Sequence, residues 1–103
     1  MHSVILVTVS SKKEADRIAL ALIKEKLAAC VNISDRIESV YWWEGKVVKS
    51  RELLLVIKTR KALVKRLIKK IKSLHSYTVP EIIALPVISG NKEYLGWIND
   101  ATR

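Results

Sequence analysis

Residues 27–59 constrain the fold more than any other stretch of the chain. They form two long runs rich in β-branched and aromatic residues, separated by a short polar stretch at residues 44–46. This pattern predicts a β-hairpin that turns at residues 44–46. In the first arm, apolar side chains fall at odd positions and most polar ones at even positions, which is the period of a strand. The alternation predicts one apolar face, made of Val31, Ile33, Ile37, Tyr41 and Trp43.

The length of this hairpin is itself informative. A run of about fourteen residues at roughly 3.3 Å each spans ~45 Å, whereas a compact sphere of this chain length is about 33 Å across. The hairpin is therefore expected to project beyond its own domain and to expose Tyr41, Trp42 and Trp43 near its tip. A second copy of the protein would bury such a patch, so the sequence predicts an oligomer.

Length and composition narrow the class of protein. The 103 residues suffice for a single domain, residues 1–103. No apolar stretch reaches the length of a membrane span, and residues 4–9 lack the flanks of a secretory signal. We therefore expect a cytoplasmic protein without a membrane partner. The single cysteine, Cys30, excludes a disulfide within one chain and a multi-cysteine zinc site.

The segment before the hairpin predicts one strand and one helix. Residues 3–9 form a short run rich in Val and Ile, typical of a buried strand. Ser11 and Glu14 have the spacing of a capping box, in which each side chain satisfies a free amide at a helix start. Apolar residues at helical spacing then predict a helix that ends near residue 27.

After the hairpin, the sequence predicts a second helix, a fourth strand and a last short helix. Thr59 is predicted to cap a second helix through residues 63–74. Pro80 stops any helix, residues 82–85 predict a short strand, and Pro86 indicates that this strand lies at a sheet edge or ends there. A last short helix is expected around residues 94–98. The order is that of an α+β, ferredoxin-like split βαβ sandwich (βαββαβ plus a short C-terminal helix) with an extended central hairpin.

Blocks of sequence throughout the chain also point to a known family. They are LAACVN at 27–32, SVYWWEG at 39–45, IKT at 57–59, His75 and Tyr77, PEII at 80–83, and YLGWI at 94–98. In order and spacing they resemble the CutA family of divalent-cation tolerance proteins. The resemblance implies a compact homotrimer, similar in architecture to the PII signalling proteins, with the hairpin arms packed between subunits. It also implies tolerance to divalent metals, with copper binding in some members and no reaction securely attached to the family.

The chain departs from the family pattern at two places. Family members usually read His, Pro, Tyr and an acidic or polar residue where this chain has His75, Ser76, Tyr77 and Thr78. Some members also carry a cysteine in the first strand, where this chain has none. A copper site that relies on that cysteine is expected to be absent here.

His75 and Glu81 are the best candidate metal ligands, because imidazole and carboxylate together suit a borderline cation such as copper. Cys30 adds a third candidate, since a thiolate favours Cu(I) or zinc. Structural roles stay open for all three: His75 can interact with the preceding helix end, Glu81 can pair with Lys58, and Cys30 can be a small buried hydrophobe.

The aromatic residues have two open interpretations. Stacking platforms for bases are one; a buried interface between subunits is the other, and the projecting hairpin favours the interface. The predicted trimer interface consists of Tyr41, Trp42, Trp43, Tyr94 and Trp97.

The basic residues of the second helix form the only marked charge run in a chain of formal net charge +9. Lys61, Lys65, Lys69 and Lys72 follow at helical spacing and make a cationic stripe. Contacts to phosphates and a simple solvated face are both compatible with the stripe, and its role at residues 60–72 stays open. No nucleic-acid motif accompanies it, so a nucleic-acid partner is not expected.

No catalytic residue is predicted, because the chain has no glycine-rich phosphate loop and no serine placed with a base and an acid. The leading hypothesis is therefore a non-enzymatic homotrimer concerned with divalent-cation tolerance that binds copper or a related cation. The alternative is a PII-like module that holds a small anion or nucleotide in clefts between subunits, with Lys58, Tyr77 and Glu81 as lining candidates.

Overall fold

The computed structural model describes all 103 residues, and its elements follow the predicted order. None of the helices has the length and apolar character needed to cross a membrane. The strands are β1 (His2–Val9), β2 (Cys30–Trp43), β3 (Lys46–Arg60) and β4 (Ile82–Val87); the helices are α1 (Lys12–Lys24), α2 (Val64–Leu74) and α3 (Lys92–Ala101), and a single 3-10 turn (Lys61–Leu63) precedes α2.

The four strands form one antiparallel sheet in the order β2-β3-β1-β4. β1 is central and pairs with β3 on one side and β4 on the other. β4 lies at an edge, as Pro86 predicts, because a strand at an edge tolerates a residue without an amide donor. The predicted α+β, ferredoxin-like βαββαβ fold is confirmed.

The core lies between one face of the sheet and the helices α1 and α2. In the sheet, Ile5, Val7 and Val9 of β1 stand opposite Ile57, Leu55 and Leu53 of β3, so their side chains share this face. All six are buried, together with apolar residues of both helices. The helices are also tied to each other, since the Arg17 guanidinium donates to the carbonyl of Leu74 over 2.8 Å.

Helix starts and ends depart from the predictions in three details. Ser11 caps α1 as predicted, accepting a hydrogen bond from the amide of Glu14, but the Glu14 carboxylate turns to Ser10 instead. The predicted cap at Thr59 is wrong: strand β3 continues to Arg60, and the buried Thr59 hydroxyl donates to the carbonyl of Leu27 over 2.6 Å. α1 ends at Lys24, before the predicted residue 27.

The hairpin makes the molecule elongated. Its principal extents are 44 × 26 × 24 Å, which confirms that β2 and β3 reach beyond the compact body. The turn consists of Glu44 and Gly45, both with positive φ (50° and 76°). Two such residues form the type I′ geometry that suits the twist of a two-residue hairpin, and glycine is favoured there.

A β-bulge contradicts the predicted single apolar face of β2. Ile33 pairs with Leu55 and Arg36 pairs with Leu53, so Ser34 and Asp35 together stand opposite Leu54. The extra residue reverses the alternation, because successive side chains point to opposite faces. Val31 and Ile33 therefore face the core, while Ile37, Tyr41 and Trp43 lie on the other face.

The sheet face away from α1 and α2 is largely uncovered and apolar; we call it the open face. α3 covers only one end of it, where Asn99 bonds to His2 and Thr102 accepts from Arg60. Six apolar residues of the open face are partly or well exposed in one chain: Val4, Leu6, Leu54, Val56, Ile83 and Leu85.

Candidate functional site

A cleft of about 750 Å³ opens where the middle of the hairpin meets residues 76–81. Tyr41 and Trp43 of β2 and Glu52 of β3 form one wall, and Tyr77 and Glu81 belong to the other. The bulge is the reason for this arrangement, since it turns Tyr41 and Trp43 to the same sheet face as Glu52. The cleft therefore adjoins the open face of the sheet.

Glu52 and Tyr77 join the two walls. The Tyr77 hydroxyl donates to Oε2 of Glu52 over 2.7 Å, and Glu52 is only 5% exposed. Burial, and then the hydrogen bond to Glu52 and its negative charge, raise the pKa of Tyr77 well above its usual value of 10.0. The phenol thus stays protonated and acts as a donor at neutral pH.

The cleft has an acidic character. Two carboxylates, Glu52 and Glu81, belong to its lining, and no lysine or arginine does. The remaining walls are aromatic, aliphatic or hydroxyl-bearing side chains. Such a lining offers oxygen ligands and ring faces, which suit a cation better than an anion.

Behind the cleft lies a buried carboxylate, Glu14. It accepts hydrogen bonds from the Ser10 hydroxyl (3.1 Å), the Ser10 amide (3.3 Å) and the Ser76 amide (2.7 Å). Burial by itself raises the pKa of Glu14, but the hydrogen bonds from Ser76 and Ser10 outweigh it, and the net pKa is lowered from 4.5. Glu14 is therefore ionised at neutral pH.

His75 completes this network and fixes the start of the second cleft wall. Its side chain has no exposed surface. Nε2 donates to the carbonyl of Thr8 over 2.7 Å, and Nδ1 accepts from the amide of Tyr77 over 3.0 Å. Both ring nitrogens are thus in use, which defines the tautomer and anchors the backbone at Tyr77.

The structure brings some of the predicted site residues together and separates others. Tyr77, Glu81, Tyr41 and Trp43 line the cleft, while His75 lies behind it and is not part of the lining. Trp42, Tyr94 and Trp97 lie outside the cleft; on α3, the rings of Tyr94 and Trp97 contact each other in a tilted arrangement with centres 5.5 Å apart.

Cys30 and Lys58 occupy the far end of the hairpin. They stand opposite each other on β2 and β3, six residues along β3 from Glu52, which corresponds to roughly 20 Å. Lys58 Nζ donates to the side chain of Asn32, and Cys30 lies beside the same oxygen. Within one chain, neither residue reaches the cleft, and Glu81 forms no ion pair with Lys58.

A complete metal site does not form within one chain. No group of three or more His, Cys, Asp or Glu side chains lies close enough to hold an ion. The three candidate ligands His75, Glu81 and Cys30 are dispersed, and His75 has no free nitrogen. A cation held through Glu81 would need ligands from a second copy.

Sequence reasoning missed Glu52 as a cleft residue and Glu14 as the centre of a buried network. Glu52 had a visible signal, since it is a lone acid beside Leu53, Leu54 and Leu55 in a strand with apolar side chains on both faces. An acid in such a place needs a buried partner. Glu14 had no such signal, because its spacing from Ser11 already has a local explanation as a capping box.

Comparison with known proteins places the chain in a family. The family profile described as "CutA1 divalent ion tolerance protein" matches residues 3–101. The chain belongs to the CutA family. Its relatives include the divalent-cation tolerance protein CutA of Thermus thermophilus, 50% identical over 102 residues that cover 99% of each chain. The chloroplastic CutA 1 of rice is 54% identical over 100 residues, which cover 97% of this chain and 56% of the rice protein.

Solved CutA structures share the fold. The T. thermophilus protein superposes with a TM-score of 0.97 at 50% identity, with all of both chains covered. A protein from Archaeoglobus fulgidus, described as a periplasmic divalent cation tolerance protein CutA, gives 0.97 at 44% identity, again over the full length of both chains. The resemblance inferred from the sequence blocks is confirmed, and with it the assignment to divalent-cation tolerance proteins.

The residue at position 76 has a structural consequence. The Ser76 amide donates to Oε2 of Glu14 over 2.7 Å. A proline at this position would have no amide hydrogen to donate. Ser76 therefore provides a bond to Glu14 that a proline would remove.

Proposed function

We propose that the chain acts as a homotrimer that binds a divalent cation, copper or a related metal, without catalysing a reaction of its own. The observation that carries the proposal is the acidic cleft: Glu52 and Glu81 belong to its lining, and no lysine or arginine does. Membership in the divalent ion tolerance family supports a role with such cations. The cation would be held between subunits, because one chain offers too few ligands.

Two uncovered surfaces support the trimer. The open face presents Ile83 and Leu85, each nearly half exposed, and the hairpin tip presents Trp42, which is 73% exposed. Apolar patches of this extent are typical of surfaces that bind another protein. Because the open face adjoins the cleft, a neighbour seated there would complete the cleft as well.

Among the candidate ligands, the geometry favours Glu81. It is exposed at the cleft and makes no ion pair in the chain. His75 would have to give up its bonds to Thr8 or to the Tyr77 amide before it could coordinate a metal. Cys30 would bind only a cation at the far end of the hairpin.

Calorimetric titration of the oligomer with Cu(II) and Zn(II) tests the proposal. Glu81→Gln should weaken binding at least tenfold, because it replaces a charged ligand by a neutral amide. Glu93→Gln removes the same charge from α3 and should leave the affinity unchanged. His75→Ala and Cys30→Ser test the other two candidates. Absence of heat above the buffer control in the parent protein would refute metal binding.

Light scattering tests the assembly. The expected mass is three times the chain mass of 11.7 kDa. A monomer at micromolar concentration would contradict both the trimer and a cation site shared between subunits.

The PII-like alternative, a small anion or nucleotide in the same clefts, ranks second. Tyr77 and Glu81 line the cleft, but Lys58 does not reach it within one chain and already donates to Asn32. An anion would therefore depend on cations from a neighbour. Titration with ATP and with inorganic phosphate in the absence of metal tests it: binding of either to the metal-free protein would favour the alternative.

We also propose a cytoplasmic location. The partly buried, unpaired Cys30 is compatible with a reducing compartment. Relatives are named for other compartments, the chloroplast for the rice protein and the periplasm for the A. fulgidus protein. Fractionation of the native host with an antibody to the protein distinguishes these locations.

A further inference from the structure

The positive charge of the protein is concentrated on one side. We define the helix layer as residues 12–26 and 61–74, which comprise α1, α2 and their immediate flanks. It contains eleven lysines and arginines against three acids, so it carries +8 of the formal net charge of +9. The sheet, the hairpin and α3 together are nearly neutral.

Most of this charge has no partner in the chain. Ten of the eleven cations are exposed, and Lys70 is the exception. Only two ion pairs occur in the layer, Lys12 with Asp16 (2.5 Å) and Lys70 with Glu25 (2.8 Å). On α2, Lys65, Lys69 and Lys72 lie opposite the buried Leu67 and Ile71, at spacings where like charges repel. An anionic partner would relieve this repulsion.

The helix layer also exposes two large apolar side chains. Leu20 is 55% exposed and Ile23 is 39% exposed, both on α1. Leu20 projects away from the core, because helical spacing places it opposite Ile18 and Leu22. The residues one turn before and after it on the same helix are Asp16, Arg17, Ile23 and Lys24. A basic surface that exposes apolar side chains is typical of peripheral membrane docking.

We propose that the helix layer docks on the surface of an anionic lipid bilayer. The lysines and arginines contact acidic headgroups, and Leu20 and Ile23 reach into the interface between headgroups and acyl chains. The expectation of no membrane partner depended on the lack of a spanning segment, which surface docking does not require. This inference is independent of the proposed metal binding, because the cleft and the open face lie on the opposite side of the sheet.

The geometry favours a bilayer over nucleic acid. Two helices packed side by side are about 20 Å wide, whereas the major groove of DNA is about 12 Å wide. The helix layer has no aromatic residue on which the bases of a single strand could stack. Leu20 and Ile23 would also have no role against a phosphate backbone, but they have one at a lipid interface.

Cosedimentation with lipid vesicles tests the proposal. The full chain should bind vesicles that contain phosphatidylserine and should not bind pure phosphatidylcholine vesicles. Lys65→Gln with Lys69→Gln should weaken binding at least tenfold, because each cation near the surface contributes roughly a fivefold gain. Lys49→Gln with Lys92→Gln is the matched control: it removes the same charge outside the helix layer and should keep the parent affinity.

A second variant separates lipid from nucleic acid. Leu20→Ser should weaken vesicle binding severalfold and leave any binding of duplex DNA unchanged, because only the bilayer offers an apolar phase. Thermal unfolding of each variant confirms that the fold is intact. Equal losses in the two lysine pairs, equal binding to both kinds of vesicle, or binding of DNA alone would each overturn the proposal.

Discussion

The root and the tip of the hairpin are built from similar residues but differ in their surroundings. Leu55 and Ile57 at the root are fully buried between β1, β2 and the helices. Val40 of β2 and Val47 of β3, near the tip, are more than half exposed, although they belong to the same two paired strands. Cover by the helices, more than residue type, therefore decides which residues of this sheet are buried. The root is covered within one chain, whereas the tip is left exposed by its own chain.

The largest expected effect lies at the root. Leu55→Ala should lower the free energy of unfolding by about 2–5 kcal/mol, because it leaves a cavity among Ile5, Val7 and their neighbours that the packed sheet cannot close. Urea unfolding measures the loss, which should be the same at every protein concentration if the root is complete within one chain. A loss below about 1 kcal/mol would contradict the comparison.

A truncation at the tip should weaken association and leave the stability of the separate chain nearly unchanged. Trp42→Ala should weaken association by about 2 kcal/mol or more, as for an aromatic anchor at the centre of an interface. The stability of the separate chain should change by less than about 0.5 kcal/mol, because Trp42 is mostly exposed there. Light scattering over a dilution series, together with unfolding of the dissociated chain, measures both quantities. An unchanged mass profile would remove Trp42 from the interface.

Much of the fold could be predicted from the sequence because it depends on local patterns. The strands and helices follow from hydrophobic periodicity, from the cap at Ser11 and from the positions of the prolines. The length of the hairpin predicts that it projects beyond the compact part of the chain. The bulge at Ser34 and Asp35 could not be predicted, since an extra residue in one strand has meaning only against its partner. The apolar face of β2 was therefore assigned wrongly beyond that point.

The candidate site was less accessible to prediction for the same reason. Tyr77 and Glu81 are near each other in sequence and were identified, whereas Glu52 is brought to Tyr77 only by the fold. His75 is a candidate ligand by its residue type, with a structural role at the helix end as the alternative, and in the fold its two nitrogens bond to Thr8 and Tyr77. Contacts between residues far apart in the sequence produce no periodic pattern from which they could be predicted.

The network behind the cleft should make the free energy of unfolding depend on pH. The pKa of Glu14 is lowered in the fold from 4.5, so the unfolded chain binds its proton more readily. The stability that the ionised carboxylate contributes is complete above about pH 4.5 and is lost as the pH falls through the lowered pKa. Glu14→Gln should cost about 1–3 kcal/mol at neutral pH and should reduce this loss on acidification.

Urea unfolding at a series of pH values measures this effect. Asp16→Asn is the control, because it removes the charge of an exposed acid on the same helix without touching the buried network. Its acid dependence should match that of the parent protein. If Glu14→Gln and the parent lose stability in parallel as the pH falls, the buried carboxylate does not hold the second cleft wall as inferred.

The smallest effect is expected at the bulge, which separates the root from the tip. The Ser34 hydroxyl accepts a hydrogen bond from the Leu54 amide over 2.8 Å and donates one to the Asp35 carbonyl over 2.7 Å. Ser34→Ala leaves the Leu54 amide without this partner and should cost about 1 kcal/mol, while Ser34→Thr keeps the hydroxyl and most of the stability. Hydrogen exchange should show faster exchange of the Leu54 amide in the alanine variant alone. The bulge turns Tyr41 and Trp43 towards the cleft, so a slip of the strands to a bulge-free register would place both rings on the other face of the sheet, and the cleft would lose its aromatic wall.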